Sequence, residues 1–130
     1  MKTKLLAALI VGSCLFVAVQ AYAATSSVEK WTGSISAGDG SADLIITPTP
    51  SGDTAVLDMG APGCGGGLTG KVIENENYIV LLGKEDGLDS CIIHFKKAGG
   101  QITGSSTEGD CNSYHGAACD FSEAKLHREK

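Results

Sequence analysis

The sequence predicts an all-β domain. The expected form is a small antiparallel meander, closed or nearly closed into an up-and-down barrel and stabilised by two disulfides. A two-sheet β-sandwich is the alternative. Period-two alternation of apolar and polar residues recurs along the chain, and no window sustains a 3.6-residue apolar period. Glycine makes up 18 of the 130 residues, scattered in a way that favours turns over long helices. Short turn signals separate the apolar runs, so consecutive strands pair as neighbours, and closing the meander removes its exposed edges.

In "VEKWTGSISA", Trp31, Gly33 and Ile35 share one face, with Lys30, Thr32 and Ser34 on the other. "GDGS" turns the chain into "ADLIITPTP", where Leu44 and Ile46 point inward. Pro48 and Pro50 stop that strand, because proline cannot donate to a ladder. After "SGD", the run "TAVLDMG" offers Ala55, Leu57 and Met59 to the core, and "APGCGGG" reads as a flexible bend carrying Cys64. "LTGKVIE" and "NYIVLLGK" flank "NEN" as a hairpin, and "KEDGLD" is the next turn. "SCIIHFKK" sets Cys91, Ile93 and Phe95 against Ile92, His94 and Lys96. "AGG" is a tight turn, and "QITGSS" returns as the seventh strand. From Phe121 to His127 the chain suits an eighth strand or a short helix equally, with Ser122 as the helix cap bonding the Lys125 amide.

The first residues read as an export signal. "MKTK" is basic, "LLAALIVGSCLFVAV" is apolar, and Ala21-Tyr22-Ala23 matches a signal-peptidase site. The apolar run falls short of the roughly 20 residues that span a bilayer. The expected division is a signal peptide over 1–23 and one β-rich domain over 24–130, periplasmic or extracellular and without stable membrane insertion after cleavage. "VGSC" before Cys14 also resembles a lipoprotein box, so anchoring through Cys14 is the minor alternative. Lys2 and Lys4 leave with the leader. Eight basic residues then face fifteen acids, a net charge of −7. That excludes a phosphate-binding surface for nucleic acid and suits a cationic protein partner.

Four cysteines remain, Cys64, Cys91, Cys111 and Cys119. An even count in an exported chain predicts two disulfides. Of three possible pairings, Cys64–Cys91 with Cys111–Cys119 is favoured, because the second closes a short loop at low entropic cost. Pairing leaves no free thiol to act as a nucleophile.

The stretch "EGDCNSYHGAACDF", Glu108 to Phe121, is the candidate site. Zinc would need His115 with Asp110 or Asp120 beside the thiols, but the two cysteines are spaced wider than zinc pairs. No metal is therefore expected. A clipped loop would present Tyr114 and His115 on a stiff binding element whose ordering cost is already met. Otherwise Tyr114 packs over the barrel end and His115 is ordinary surface. His94 alternates outward, and His127 belongs to a tail expected to fray. Ser90, Ser105, Ser106 and Ser113 carry no nucleophile signature. Asp39 and Asp43, and Glu85, Asp86 and Asp89, read as turn residues rather than calcium ligands. Gly65 to Lys71 imitates a phosphate loop, but Val72 stands where a hydroxyl should hold magnesium.

An exported, acidic, disulfide-clipped, β-rich chain resembles the small periplasmic lysozyme inhibitors in class and size. No diagnostic motif of that family maps onto this chain, so no residue is carried over. The resemblance implies a binding or inhibitory module without cofactors, not an enzyme, acting on a cationic protein. Tyr114, His115, Asp110 and Glu108 are the residues expected to meet the partner. A small-ligand carrier using the barrel mouth, or a structural envelope protein, are the other expectations.

Overall fold

A computed structural model describes residues 27–130; the expected leader, its cleavage site and Cys14 lie outside them. Eight strands run in order: β1 Glu29–Ile35, β2 Gly40–Thr47, β3 Thr54–Ala61, β4 Cys64–Glu74, β5 Tyr78–Gly83, β6 Cys91–Ala98, β7 Gln101–Gly109 and β8 Lys125–Arg128. Each pairs antiparallel with its neighbours, and β8 pairs with β1 to close the barrel. The up-and-down barrel expected from the alternation is therefore the fold, and the sandwich alternative is set aside.

The apolar side chains expected inward from the alternation are buried, and Leu68 of β4 with Ile79 and Leu81 of β5 join them. Trp31, Ile35, Leu44, Leu57, Leu68, Ile79, Leu81, Ile93 and Phe95 are buried and fill the interior. Asn75 begins the β4–β5 turn by accepting from the amides of Asn77 (2.8 Å) and Tyr78 (2.9 Å). Gly99, with φ 59°, begins the two-residue turn between β6 and β7.

Three local expectations are corrected. The first turn is Ser36–Asp39 rather than "GDGS", with Ser36 and Ala37 in the left-handed region. Ser36 is held there from outside the hairpin: its amide donates to Ser122 O (2.9 Å), and its hydroxyl accepts from the Asp120 amide (3.1 Å). The "GCGGG" stretch is strand rather than bend, since Ala61 pairs with Cys64 and only Pro62 and Gly63 turn. A side chain at Gly66 would collide with His115, so glycine there permits a close approach of two backbones. The tail forms β8, not a helix. Leu126 is buried in the core, and His127, expected to fray, pairs with Thr32 and Gln101.

Closure between β7 and β8 takes an unusual form. Only Gln101 and Ile102 pair with β8 in the ladder. Beyond them β7 bulges: Lys97 opposes Ile102 while Lys96 opposes Gly104, leaving Thr103 unpaired. Ser105 bridges the gap instead. Its hydroxyl donates to Phe121 O (2.6 Å) and accepts from the Ala124 amide (2.8 Å). A side chain thus does the work of a strand pair. Ser105→Ala is expected to destabilise the domain by about 1–3 kcal/mol, because both backbone groups lose their partner in a half-buried seam. Urea unfolding with an unchanged m-value checks this.

The outer face contains a built-in repulsion. Asp43, expected in a turn, lies in β2 directly opposite Asp58 of β3. Like charges at facing positions oppose pairing. Asp58→Asn is expected to stabilise the domain by a few tenths of a kcal/mol at low salt, with the gain fading as salt screens it. Thermal unfolding at two ionic strengths reads both parts.

Candidate functional site

Residues 110–124 leave the end of β7, cross one mouth of the barrel and return to β8. The disulfides hold this crossing segment to the wall, and they differ from the favoured pairing. Cys91 bonds Cys111, and Cys64 bonds Cys119. Strand register decides this. Cys91 opens β6 opposite Gly109 of β7, which brings Cys111 within 4.7 Å, Cα to Cα. Further along, the segment meets the start of β4, where Gly66 bridges His115 and the Gly116 amide donates to Gly65 O (3.1 Å). Cys119 therefore reaches Cys64 rather than closing back on Cys111.

The segment is a plug, not a protruding loop. Tyr114, in the short 3-10 turn Asn112–Tyr114, is buried. Its hydroxyl donates to Asp89 O (2.7 Å) and accepts from the Glu85 amide (3.2 Å), tying the β5–β6 loop to the plug. Tyr114 therefore packs over the barrel end and is not presented at a tip. His115 is half-buried. Its Nδ1 donates to Gly116 O (2.8 Å), and its ring stands edge-on to Phe121 at 4.9 Å. Asp110 is exposed and accepts from the Ser113 hydroxyl (2.8 Å). Glu108 is exposed on β7 and accepts from His94 Nε2 (2.5 Å). The structure thus divides the four expected residues: Tyr114 and His115 build the plug, while Asp110 and Glu108 face solvent.

Asp120 is the most tightly hydrogen-bonded acid of the plug. The Ser122 hydroxyl and amide both donate to its carboxylate and hold its pKa below the ordinary value; burial opposes them, and His115 adds a smaller effect in their direction. A depressed folded-state pKa adds stability above the unfolded value of about 3.9, and that stability is lost as pH falls through the folded value. Ser122→Ala is expected to move the Asp120 pKa back up. The stability difference from the parent then narrows below about pH 4, which denaturant unfolding at pH 7 and pH 3 would detect.

Charge is distributed unevenly along the barrel axis. Among the described residues, the plugged end holds Asp39, Glu85, Asp86, Asp89, Glu108, Asp110, Asp120 and Glu123, with Lys84 and Lys125 as its lysines and no arginine. Among the described residues, Glu108 is the one acid of these eight within ion-pair distance of a basic side chain, that of His94. The opposite end holds the pairs Lys30–Glu129 (3.4 Å), Lys97–Glu74 (2.5 Å) and Arg128–Glu29 (2.8 Å). Three of its cations are thus paired with acids of the same end, whereas seven of the eight acids at the plugged end are in no ion pair among the described residues.

The remaining motifs resolve in the same frame. Gly65 to Lys71 belongs to strand β4, so the phosphate-loop imitation is strand sequence. Among the described residues, no group of three potential ligands is placed to hold a metal, and no hydroxyl is hydrogen-bonded to the ring of His94 or His115. No helix among them is long and apolar enough to cross a membrane.

A second feature escaped the sequence reading. A groove of about 620 Å³ runs over the outer wall of β5, β6 and β7, lined in part by Tyr78, His94, Lys96, Gly104, Ser106 and Glu108. Alternation along "NYIVLLGK" and "SCIIHFKK" was enough to turn Tyr78, His94 and Lys96 outward. The bulge at Thr103 that brings β7 alongside them has no marker in sequence. No family model, no curated protein and no solved structure matches the chain.

Proposed function

We propose that this domain is an exported binding or inhibitory module that docks a cationic protein on the plugged end of its barrel. The observation carrying this reading is the charge distribution: eight acids around one mouth against two lysines, with three ion pairs at the other end. An acidic surface of this kind raises the encounter rate with a basic partner and sets its orientation. The plug supports the reading mechanically. Two disulfides and the Tyr114 hydrogen bonds hold the acidic loops in place before any partner arrives, so little ordering cost remains at binding. Two disulfides also suit an oxidising compartment. A carrier role would need a hollow interior, whereas Trp31, Phe95 and Phe121 occupy it.

The test is binding to basic proteins, a lysozyme first, at about 20 mM and about 200 mM salt, ionic strengths that differ strongly in screening. The expected result is a complex whose association rate falls with salt. Glu85→Gln, Asp86→Asn and Asp110→Asn should slow association, while Glu129→Gln at the far end should not. No complex with any basic protein at low salt removes the proposal.

A further inference from the structure

The groove on the side wall shares Glu108 with the acidic end and otherwise has its own chemistry. Tyr78 is 47% exposed at one flank, beside its cross-strand partner Lys96. His94 and Glu108 form a hydrogen-bonded pair further along, and Ser106 is the direct cross-strand partner of His94. The bulge places Thr103 and Gly104, consecutive residues, both on the groove. A Cβ at Gly104 would meet nothing within 4 Å, so the absence of a side chain there keeps the groove open.

We propose that this groove binds a neutral saccharide, with one sugar ring seated against Tyr78. The volume falls within the roughly 300–1,000 Å³ of small-molecule sites. Charge selects the ligand class. Lys96 lies across from Gly104 and Glu108 across from Ile92, at opposite ends of the groove, so an extended anion reaching along it from Lys96 meets the carboxylate and an extended cation reaching from Glu108 meets the ammonium. A neutral ligand avoids both conflicts. The remaining groups ask for one that is amphipathic: the Tyr78 face and the Lys96 stem are apolar, while Thr103 and Ser106 hydroxyls both donate and accept. A pyranose ring offers a C–H face to the first and a rim of hydroxyls to the second. The His94–Glu108 pair then grips adjacent hydroxyls, one partner donating and the other accepting.

The test uses the disulfide-intact, isotopically labelled domain, titrated with fully N-acetylated chitotriose, maltotriose and trigalacturonate and followed by amide chemical shifts. The expected result is saturable shifts with a neutral trisaccharide at Tyr78, His94, Lys96, Ser106 and Glu108, and weaker shifts with the anionic one. Gly104→Val should retain the melting temperature, because its side chain enters open space, and should weaken binding at least about tenfold by filling the groove. Tyr78→Ala should weaken it about two- to tenfold. The inference is overturned by unshifted groove resonances with both neutral probes at millimolar concentration, by undiminished binding in Gly104→Val, or by tighter binding of trigalacturonate. None of these outcomes bears on docking at the plugged end, whose test leaves the groove residues unaltered.

Discussion

Replacing Cys64 and Cys119 together by alanine is expected to destabilise the domain by about 4 kcal/mol, from the chain entropy restored to the unfolded state. The bond spans 55 residues, while Cys91–Cys111 spans 20 and lies within that span. The same reasoning gives about 3 kcal/mol for the inner bond, and the two losses do not add because the loops are nested. Set against a typical total of about 5–15 kcal/mol, the outer bond is a large share. Its removal should lower the melting temperature by about 15–30 °C. Thermal unfolding of both double variants gives the order of the effects. Peptide mapping without reductant checks the pairing itself: a fragment linking Cys111 to Cys119 would contradict the register argument. The variants should also differ in what they release. Without Cys64–Cys119, the plug loses its covalent hold on β4 but stays covalently tied to β6. Without Cys91–Cys111, the reverse holds. Hydrogen exchange at the Gly116 amide, which donates to Gly65 O, would separate the two.

Phe121→Ala is expected to cost about 3–5 kcal/mol. The ring is fully buried where plug, β7 and β8 meet, and it packs edge-on against His115 at 4.9 Å. Its carbonyl is one of the two groups that Ser105 holds at the seam. Truncation therefore leaves a cavity at the one place where closure does not rest on a continuous ladder. Phe121→Leu should cost clearly less, since it keeps much of the apolar volume. Urea unfolding of the pair measures the difference. A loss below about 1 kcal/mol in Phe121→Ala would show that the seam collapses without cost, contrary to close packing.

Both predictions concern the plug, which is where the sequence was least explicit. The alternation in "SCIIHFKK" separates buried Ile93 and Phe95 from outward His94 and Lys96 with no help from tertiary contacts, because side chains of a strand alternate faces. Pro48 ends β2, and Gly99 turns β6 into β7, for equally local reasons. Phe121 to His127 is different. Its local preferences balance strand and helix, and β8 forms because Leu126 finds the core and His127 finds Thr32 and Gln101. Tyr114 is likewise undecided in sequence, since an aromatic between two cysteines suits a tip or a plug. The carbonyl of Asp89 and the amide of Glu85 turn it inward.

The amino-acid order by itself determined the first seven strands, most inward faces and the antiparallel meander, because those depend on a two-residue period and on turn chemistry; closure through β8 came only with tertiary contacts. Tertiary structure alone decided the cysteine partners, the left-handed backbone at Ser36, the gathering of acids at one mouth and the groove beside Tyr78. Each of these depends on which distant residues meet once register and closure are set. Chain separation carries no information about that: Ser36 and Asp120 are far apart in sequence and 3.1 Å apart in the fold.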